Sequence, residues 1–171
     1  MTVRRIASWC AAVSLVAMAT TAVVQAAAPP RVGSPAPSFT AQLVANGHGS
    51  LSSSDLKGRG VYLNFFASWC GPCKAEAPSI AKLSRDFMKR RVVVLGVDEL
   101  EHAEPAQRFA AQYHLPYRVV LDGNGDMGSA YGLIGLPLHV FIGPDGKVVA
   151  WRTGELSDRQ MADLMRRISS R

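Results

Sequence analysis

Cys70 and Cys73 stand two residues apart in Trp69-Cys70-Gly71-Pro72-Cys73. They follow an apolar run, Val61 to Ala67, that reads as a buried strand, and they precede Lys74 to Leu83, which reads as a helix. Thiol–disulfide exchange needs one thiolate to attack a disulfide sulfur and a second thiol to resolve the mixed disulfide. At this spacing the second sulfur reaches the first without any unfolding. Cys70 falls at the helix N-terminus, where about half a unit of positive charge favours a thiolate. It is the expected attacking thiol and the expected exposed one. Cys73, one turn further in, is the expected resolving thiol. Gly71-Pro72 shapes the loop between them; proline suits a helix's first turn because its missing N–H would have been unpaired anyway.

The chain has 171 residues and three cysteines. Cys10 lies in an N-terminal stretch of a different kind: Arg4 and Arg5 are followed by an uncharged run from Ile6 to Val24, then Ala26-Ala27-Ala28 and Pro29-Pro30. A basic start, an apolar run and small residues at a cleavage point are the marks of a secretory signal peptide. The run is long, so residues 1–28 read as a signal peptide or as an uncleaved N-terminal anchor, and residues 29–171 as one domain. Without Cys10 there are no cysteines for a structural disulfide. A dithiol alone in an exported chain points to redox work or metal binding.

The elements that must hold the dithiol follow from patterning. Residues 29–38 are proline-rich and extended. Phe39 to Leu43 and Gly49 to Leu51 suggest a hairpin around Asn46-Gly47-His48-Gly49. Ser53 to Gly58 reads as one capped turn. After the active-site helix come a strand at Val92–Val97, a helix at about Ala103–Tyr113 with Phe109, Ala110 and Tyr113 facing inward, and a strand at Arg118–Leu121. Gly135-Leu136-Pro137 precedes a strand at Leu138–Ile142. The turn Gly143-Pro144-Asp145-Gly146-Lys147 leads to Val148–Trp151, and an amphipathic helix capped by Ser157 runs to Ile168.

At these residues the chain resembles the thioredoxin superfamily, whose active site carries WCGPC. The opening Gly33-Ser34-Pro35-Ala36-Pro37-Ser38-Phe39, the extra helix and strand, and Asn64 in place of the buried Asp of thioredoxins are similar to its TlpA/ResA branch. The resemblance spans roughly residues 33–170. It implies an α/β, thioredoxin-like fold: a central mixed sheet flanked by helices, with an N-terminal β-hairpin extension and a central β-α insertion. It implies a cis bond at Leu136–Pro137 beside the dithiol, with the backbone of Leu136 pairing to an extended substrate and Trp69, Gly71 and Pro72 completing the contact face. Many relatives have Thr after this proline; here Leu138 stands there. Asn64 cannot act as a base at neutral pH, so the proton on Cys73 needs another acceptor. The branch places an acid after the next strand, which falls on Glu101, with Glu99 as the near alternative. The other reading of Asp98-Glu99-Leu100-Glu101 is a solvated loop.

The resemblance further implies a thiol–disulfide oxidoreductase that needs no cofactor beyond its own Cys70–Cys73 disulfide. Its expected action is to reduce exported proteins such as apocytochrome c or copper-site proteins. It would draw electrons from a membrane thiol donor and act as a monomer, in the periplasm or tethered outside the inner membrane. Two alternatives stand beside it. A Cu(I) metallochaperone would use both thiolates, although the related copper proteins have a longer cysteine spacing and a distant His. A peroxiredoxin-like peroxidase would need Thr three residues before its cysteine, and here that residue is Ala67. A calcium loop at Asp122-Gly123-Asn124-Gly125-Asp126 is rejected because Met127 stands where Gly is required and Leu133 where Glu is required. His102 among Glu99, Glu101 and Glu104 reads as solvated loop. The formal charge of +6 comes from scattered bases and from clusters near helix C-termini, which does not make a nucleic-acid surface.

Overall fold

The computed structural model describes residues 28–169; the N-terminal segment with Cys10 and the expected cleavage point lies outside the described residues. The order is β1 (Thr40–Ala45), β2 (Ser50–Ser52), β3 (Gly60–Phe66), α1 (Gly71–Met88), β4 (Val92–Glu99), α2 (Ala103–Gln112), β5 (Arg118–Asp122), α3 (Asp126–Ala130), β6 (Leu138–Ile142), β7 (Val148–Thr153) and α4 (Asp158–Ile168). A 3-10 turn at Ser53–Leu56 between β2 and β3 is closed by a capping box in which Ser52 and Asp55 each bond the other's backbone N–H.

One seven-stranded sheet runs β2-β1-β5-β4-β3-β6-β7. The three central strands β3, β4 and β5 are parallel, and the outer strands run antiparallel to their neighbours. The fold is thioredoxin-like and mixed, with the β1–β2 hairpin in front and α2–β5 inserted after β4. Central parallel strands are covered on both faces and so read as apolar runs rather than alternations. β3 and β4 are buried at every position.

Along β4 the side chains alternate between two cores. Val92 and Val94 join Tyr62, Phe66, Ala77, Ile80, Phe109 and Met165 beneath α1, α2 and α4. Val93, Leu95 and Val97 join Leu63, Phe65, Met127, Tyr131 and Leu138 on the other face. That second face is covered by the stretch around Ala36 and Phe39, the hairpin and the short α3.

Three sequence expectations change. The active-site helix starts at Gly71, directly after Cys70, and continues past Leu83 to Met88 through Pro78, which cannot donate the helical bond to the Lys74 carbonyl. β4 extends through Asp98 and Glu99, paired with Phe66 on one side and with Leu121 and Asp122 on the other, so the first half of the acidic stretch is buried strand and only Leu100 and Glu101 stand in the loop after it. The turn at Asp122–Asp126 leads into a five-residue helix that sequence periodicity is too short to register. The Asp122 carboxylate accepts from Met127 N at 3.1 Å and from Gly128 N at 2.6 Å, which caps that helix.

Candidate active site

Because β3, β4 and β5 are parallel, the loops after them gather at one edge of the sheet. β6 starts and β7 ends at the same edge. The Cys70 loop, Glu101, the Leu136–Pro137 bond and the start of α4 therefore lie together.

Cys70 is the N-cap of α1. Its Sγ accepts from Cys73 N at 3.2 Å, so the sulfur sits where an N-cap oxygen would and faces the positive end of the helix. Cys70 and Cys73 form a disulfide with Sγ–Sγ 2.03 Å and Cα–Cα 5.3 Å. Both residues are buried, Cys70 at 4% exposure. The expected exposure of Cys70 is corrected: its sulfur is turned down onto the helix and closed over by its ring with Cys73. Trp69 stands out instead, 68% exposed, and Gly71 and Pro72 beside it are exposed.

The Leu136–Pro137 peptide is cis. Phe65 pairs with Leu138 across the antiparallel β3–β6 ladder, so Leu136 comes level with Ala67. The turn holding Cys70 is closed by Cys70 N donating to Ala67 O at 3.1 Å. The register thus sets the Leu136–Pro137 bond beside the cysteine turn. Leu138, directly after that proline, is fully buried in the second core.

Glu101 reaches this turn from the β4–α2 loop. Its Oε2 accepts from Ser68 N at 2.5 Å and its Oε1 from Ser68 Oγ at 2.7 Å. A carboxylate holding both polar groups of the residue two before Cys70 braces the active-site turn. Next to it lies Asp98, completely buried, with neither carboxylate oxygen meeting a donor. Burial, and then the neighbouring Glu101 carboxyl, hold Asp98 up at about 8. Asp98 faces the α1 side, in step with Val92 and Val94. Glu99 faces the other way, against Asp122 and α3, and burial with the Asp122 carboxyl holds it up at about 9. A Cβ on Gly128 would lie 2.7 Å from both Glu99 carboxylate oxygens, so this glycine leaves the room that Glu99 occupies. The acid that accompanies Glu101 on the dithiol face is therefore Asp98, not Glu99.

A profile of the Redoxin family matches residues 31–165. The chain belongs to the Redoxin family. Its relatives include the thiol-disulfide oxidoreductase ResA of Bacillus subtilis (strain 168), 37% identical over 133 residues that make up 78% of this chain and 73% of the relative. ResA of Bacillus thuringiensis subsp. konkukian (strain 97-27) is 32% identical over 139 residues, 81% of this chain and 79% of the relative. Among solved structures, a thiol:disulfide interchange protein of the thioredoxin family from Chlorobium tepidum TLS superposes with a TM-score of 0.72 at 25% identity, covering 82% of this chain and 99% of its own. This Redoxin-family chain is a ResA-like thiol–disulfide oxidoreductase of thioredoxin fold, acting on disulfide-bearing proteins.

Sequence reading passed over Glu76 and His139. Both are buried. Glu76 lies on α1 three residues after Cys73; its Oε1 accepts from Leu156 N, and its Oε2 lies 3.5 Å from His139 Nε2. Burial, against the Leu156 N–H and with Glu155 adding repulsion, holds Glu76 up at about 7. A signal was present: Cys73, Glu76, Ala77 and Ile80 fall on one helical stripe, and a glutamate there has to be buried. For His139 the signal was its place inside the strand Leu138–Ile142, whose five residues are all buried.

Proposed function

We propose that this oxidoreductase works in the reducing direction on disulfides of exported proteins, outside the cytoplasm. Apocytochrome c or copper-site cysteines are the client classes, and a membrane thiol carrier is the electron donor. The observation that carries the exchange reading is the placement of Cys70 Sγ at the N-terminus of α1, 3.2 Å from Cys73 N, which stabilises the thiolate that must attack; the reducing direction rests on the resemblance, in whose family a Gly-Pro pair between the cysteines goes with reduction. The apolar N-terminal segment, Ile6 to Val24, supports export or tethering.

In the reduced protein, Cys70 Sγ attacks a client sulfur. A Cys70–client bond forms, the client S–S bond breaks, and the leaving thiolate takes a proton. Cys73 then loses its proton and attacks Cys70 Sγ. The Cys70–Cys73 bond forms, the mixed disulfide breaks, and the second client thiol departs. Two electrons have passed from the dithiol to the client, and the protein is left in the oxidised form described above; the membrane donor resets it. Trp69, Gly71, Pro72, Leu136 and Pro137 form the client contact face, with the Leu136 backbone pairing to an extended client segment. The Asp98–Glu101 carboxyl pair, and Glu76 one helical turn from Cys73, are the proton acceptors for Cys73, a role for which Asn64 has no basicity.

Cysteine variants test the chemistry. Cys70→Ser abolishes reduction of a protein disulfide, and Cys73→Ser accumulates a mixed disulfide visible on a non-reducing gel; turnover by Cys73→Ser at the unaltered protein's rate refutes the assignment. Equilibration with glutathione tests the direction. A potential near the about −120 mV of strong oxidants of this chemistry rules out the reductive reading.

A further inference from the structure

Under α1 the apolar layer is crossed by a polar strip. Asn64 of β3 and His139 of β6 are cross-strand partners, and both are buried. Tyr62, two residues earlier on β3, faces the same side, with its hydroxyl 2.8 Å from His139 Nδ1. On the other side of the ring, Nε2 is 3.1 Å from the Gly154 carbonyl oxygen and 3.5 Å from Glu76 Oε2. A carbonyl only accepts, so Nε2 carries the hydrogen and Nδ1 accepts from the Tyr62 hydroxyl. Burial pushes His139 down to about 4, which keeps the ring neutral at pH 7. Glu76 Oε2 has no hydrogen-bond donor of its own; the Nε2–H of His139 is the donor that faces it. One N–H thus stands between two acceptors, a fixed carbonyl and a carboxyl that titrates.

We propose that His139 is a positioning residue for the dithiol: its Nε2–H, oriented by Tyr62, supports the carboxylate form of Glu76 and so sets the pH at which Cys73 finds a proton acceptor one helical turn away. This rests on the oxidoreductase reading of the dithiol. Side chains three residues apart on a helix lie about 5–6 Å apart at Cβ, so the charge on Glu76 acts directly on Cys73. An ionised Glu76 accepts a proton and a protonated one does not. The group sits near its midpoint at neutral pH, where a small change in support moves a large share of molecules between the two forms.

The other groups facing Glu76 are accounted for. Tyr62 on β3 and Tyr117 ahead of β5 are held above the ordinary tyrosine range by burial and stay neutral. Glu155, after β7, adds repulsion and Leu156 N–H adds support. Among the described residues no lysine or arginine forms an ion pair with Glu76. His139 is the neighbour whose donor can be removed without changing a charge.

The experiment uses the full chain, oxidised and labelled with carboxyl-13C glutamate, and follows the Glu76 resonance by NMR across pH; Glu76→Gln assigns the signal. His139→Phe fills the ring's place without the N–H and should raise the Glu76 midpoint by about one pH unit, a tenfold loss of ionised Glu76 below it. His139→Gln restores a donor and should return the midpoint most of the way. The pH profile of mixed-disulfide resolution should move by the same amount in His139→Phe, and not at all when Glu76→Gln is already present. Should His139→Phe fail to fold, Tyr62→Phe removes the hydroxyl that orients the ring and should shift the midpoint in the same direction. An unchanged midpoint in the variant that folds overturns the proposal. So does a midpoint that moves while the resolution profile stays still. If the unaltered protein resolves no disulfide at any pH, the oxidoreductase reading is what fails, and the NMR midpoint still decides the His139–Glu76 contact.

Discussion

Replacing Glu99 by Gln should flatten the pH dependence of this protein's stability. Glu99 is 3% exposed on the face of the sheet away from the dithiol, and its Oε1 has no donor. Asp122 beside it directs both oxygens to the backbone N–H groups of α3, and burial together with that neighbouring carboxyl favours the protonated form of Glu99. Folding raises that group from 4.5 to about 9. Between those values the folded state holds a proton that the unfolded state has lost, so stability is fully present below about pH 4.5 and falls as pH rises toward 9. A proton held across one full pH unit is worth about 1.4 kcal/mol. Relaxation of a buried pair absorbs part of the interval, and a loss of ~3 kcal/mol between pH 5 and pH 9 is expected from this group. That is a sizeable fraction of a domain's total stability of about 5–15 kcal/mol. The amide of Gln keeps the volume and donates to Asp122 without titrating. Urea unfolding at half-unit pH steps, with the disulfide intact in both proteins, measures the difference. Near pH 5 the two should unfold at similar urea concentrations; near pH 9 Glu99→Gln should be the more stable by ~3 kcal/mol. Asp98 and Glu76 add slopes of the same sign and His139 the opposite sign below pH 6.5, but all three are common to both proteins and cancel. Parallel stability curves across this range would refute the account of a proton held on buried Glu99.

Asp98→Asn and Glu101→Gln should each slow resolution of the mixed disulfide by about tenfold, the low end for a positioned general base, and remove the part of the pH–rate profile near 8, in stopped-flow measurements; rates unchanged in both variants would leave proton removal to Glu76 and solvent. Ser68→Ala removes one of the two donors on Glu101 and should produce a smaller slowing without loss of thermal stability. Gly60→Ala should destabilise by ~3 kcal/mol, or about 6–12 °C in melting temperature for a domain of this size, because its Cβ would lie 2.1 Å from the Ile168 carbonyl oxygen, where α4 crosses the start of β3; calorimetry would show it.

The dithiol, its place at a helix start and the two apolar parallel strands were legible in the chain, because each depends on neighbours in sequence; the cis-proline position was implied by the resemblance to thioredoxins. A thiolate at an N-cap needs only the first turn of its own helix, and strands buried on both faces declare themselves as unbroken apolar runs. The capping residue Ser157 was legible for the same reason, and α4 starts immediately after it. Which acid belongs to which face was not legible. Asp98, Glu99 and Glu101 are close neighbours in the chain, and a strand extended by two residues sends the first two to opposite sides of the sheet. Only the pairing of β4 with β3 and β5 sets that parity. Glu76 and His139 come from elements far apart in the chain, α1 and β6. Their meeting, and the burial that holds one carboxyl near neutrality and keeps one imidazole uncharged, arise when α1 and α4 close over the sheet. The sequence by itself determined what chemistry this chain performs, because that chemistry resides in two sulfurs and one helical turn. Tertiary structure decided where the protons go, because desolvation and the distance between distant side chains exist only once the layers have packed.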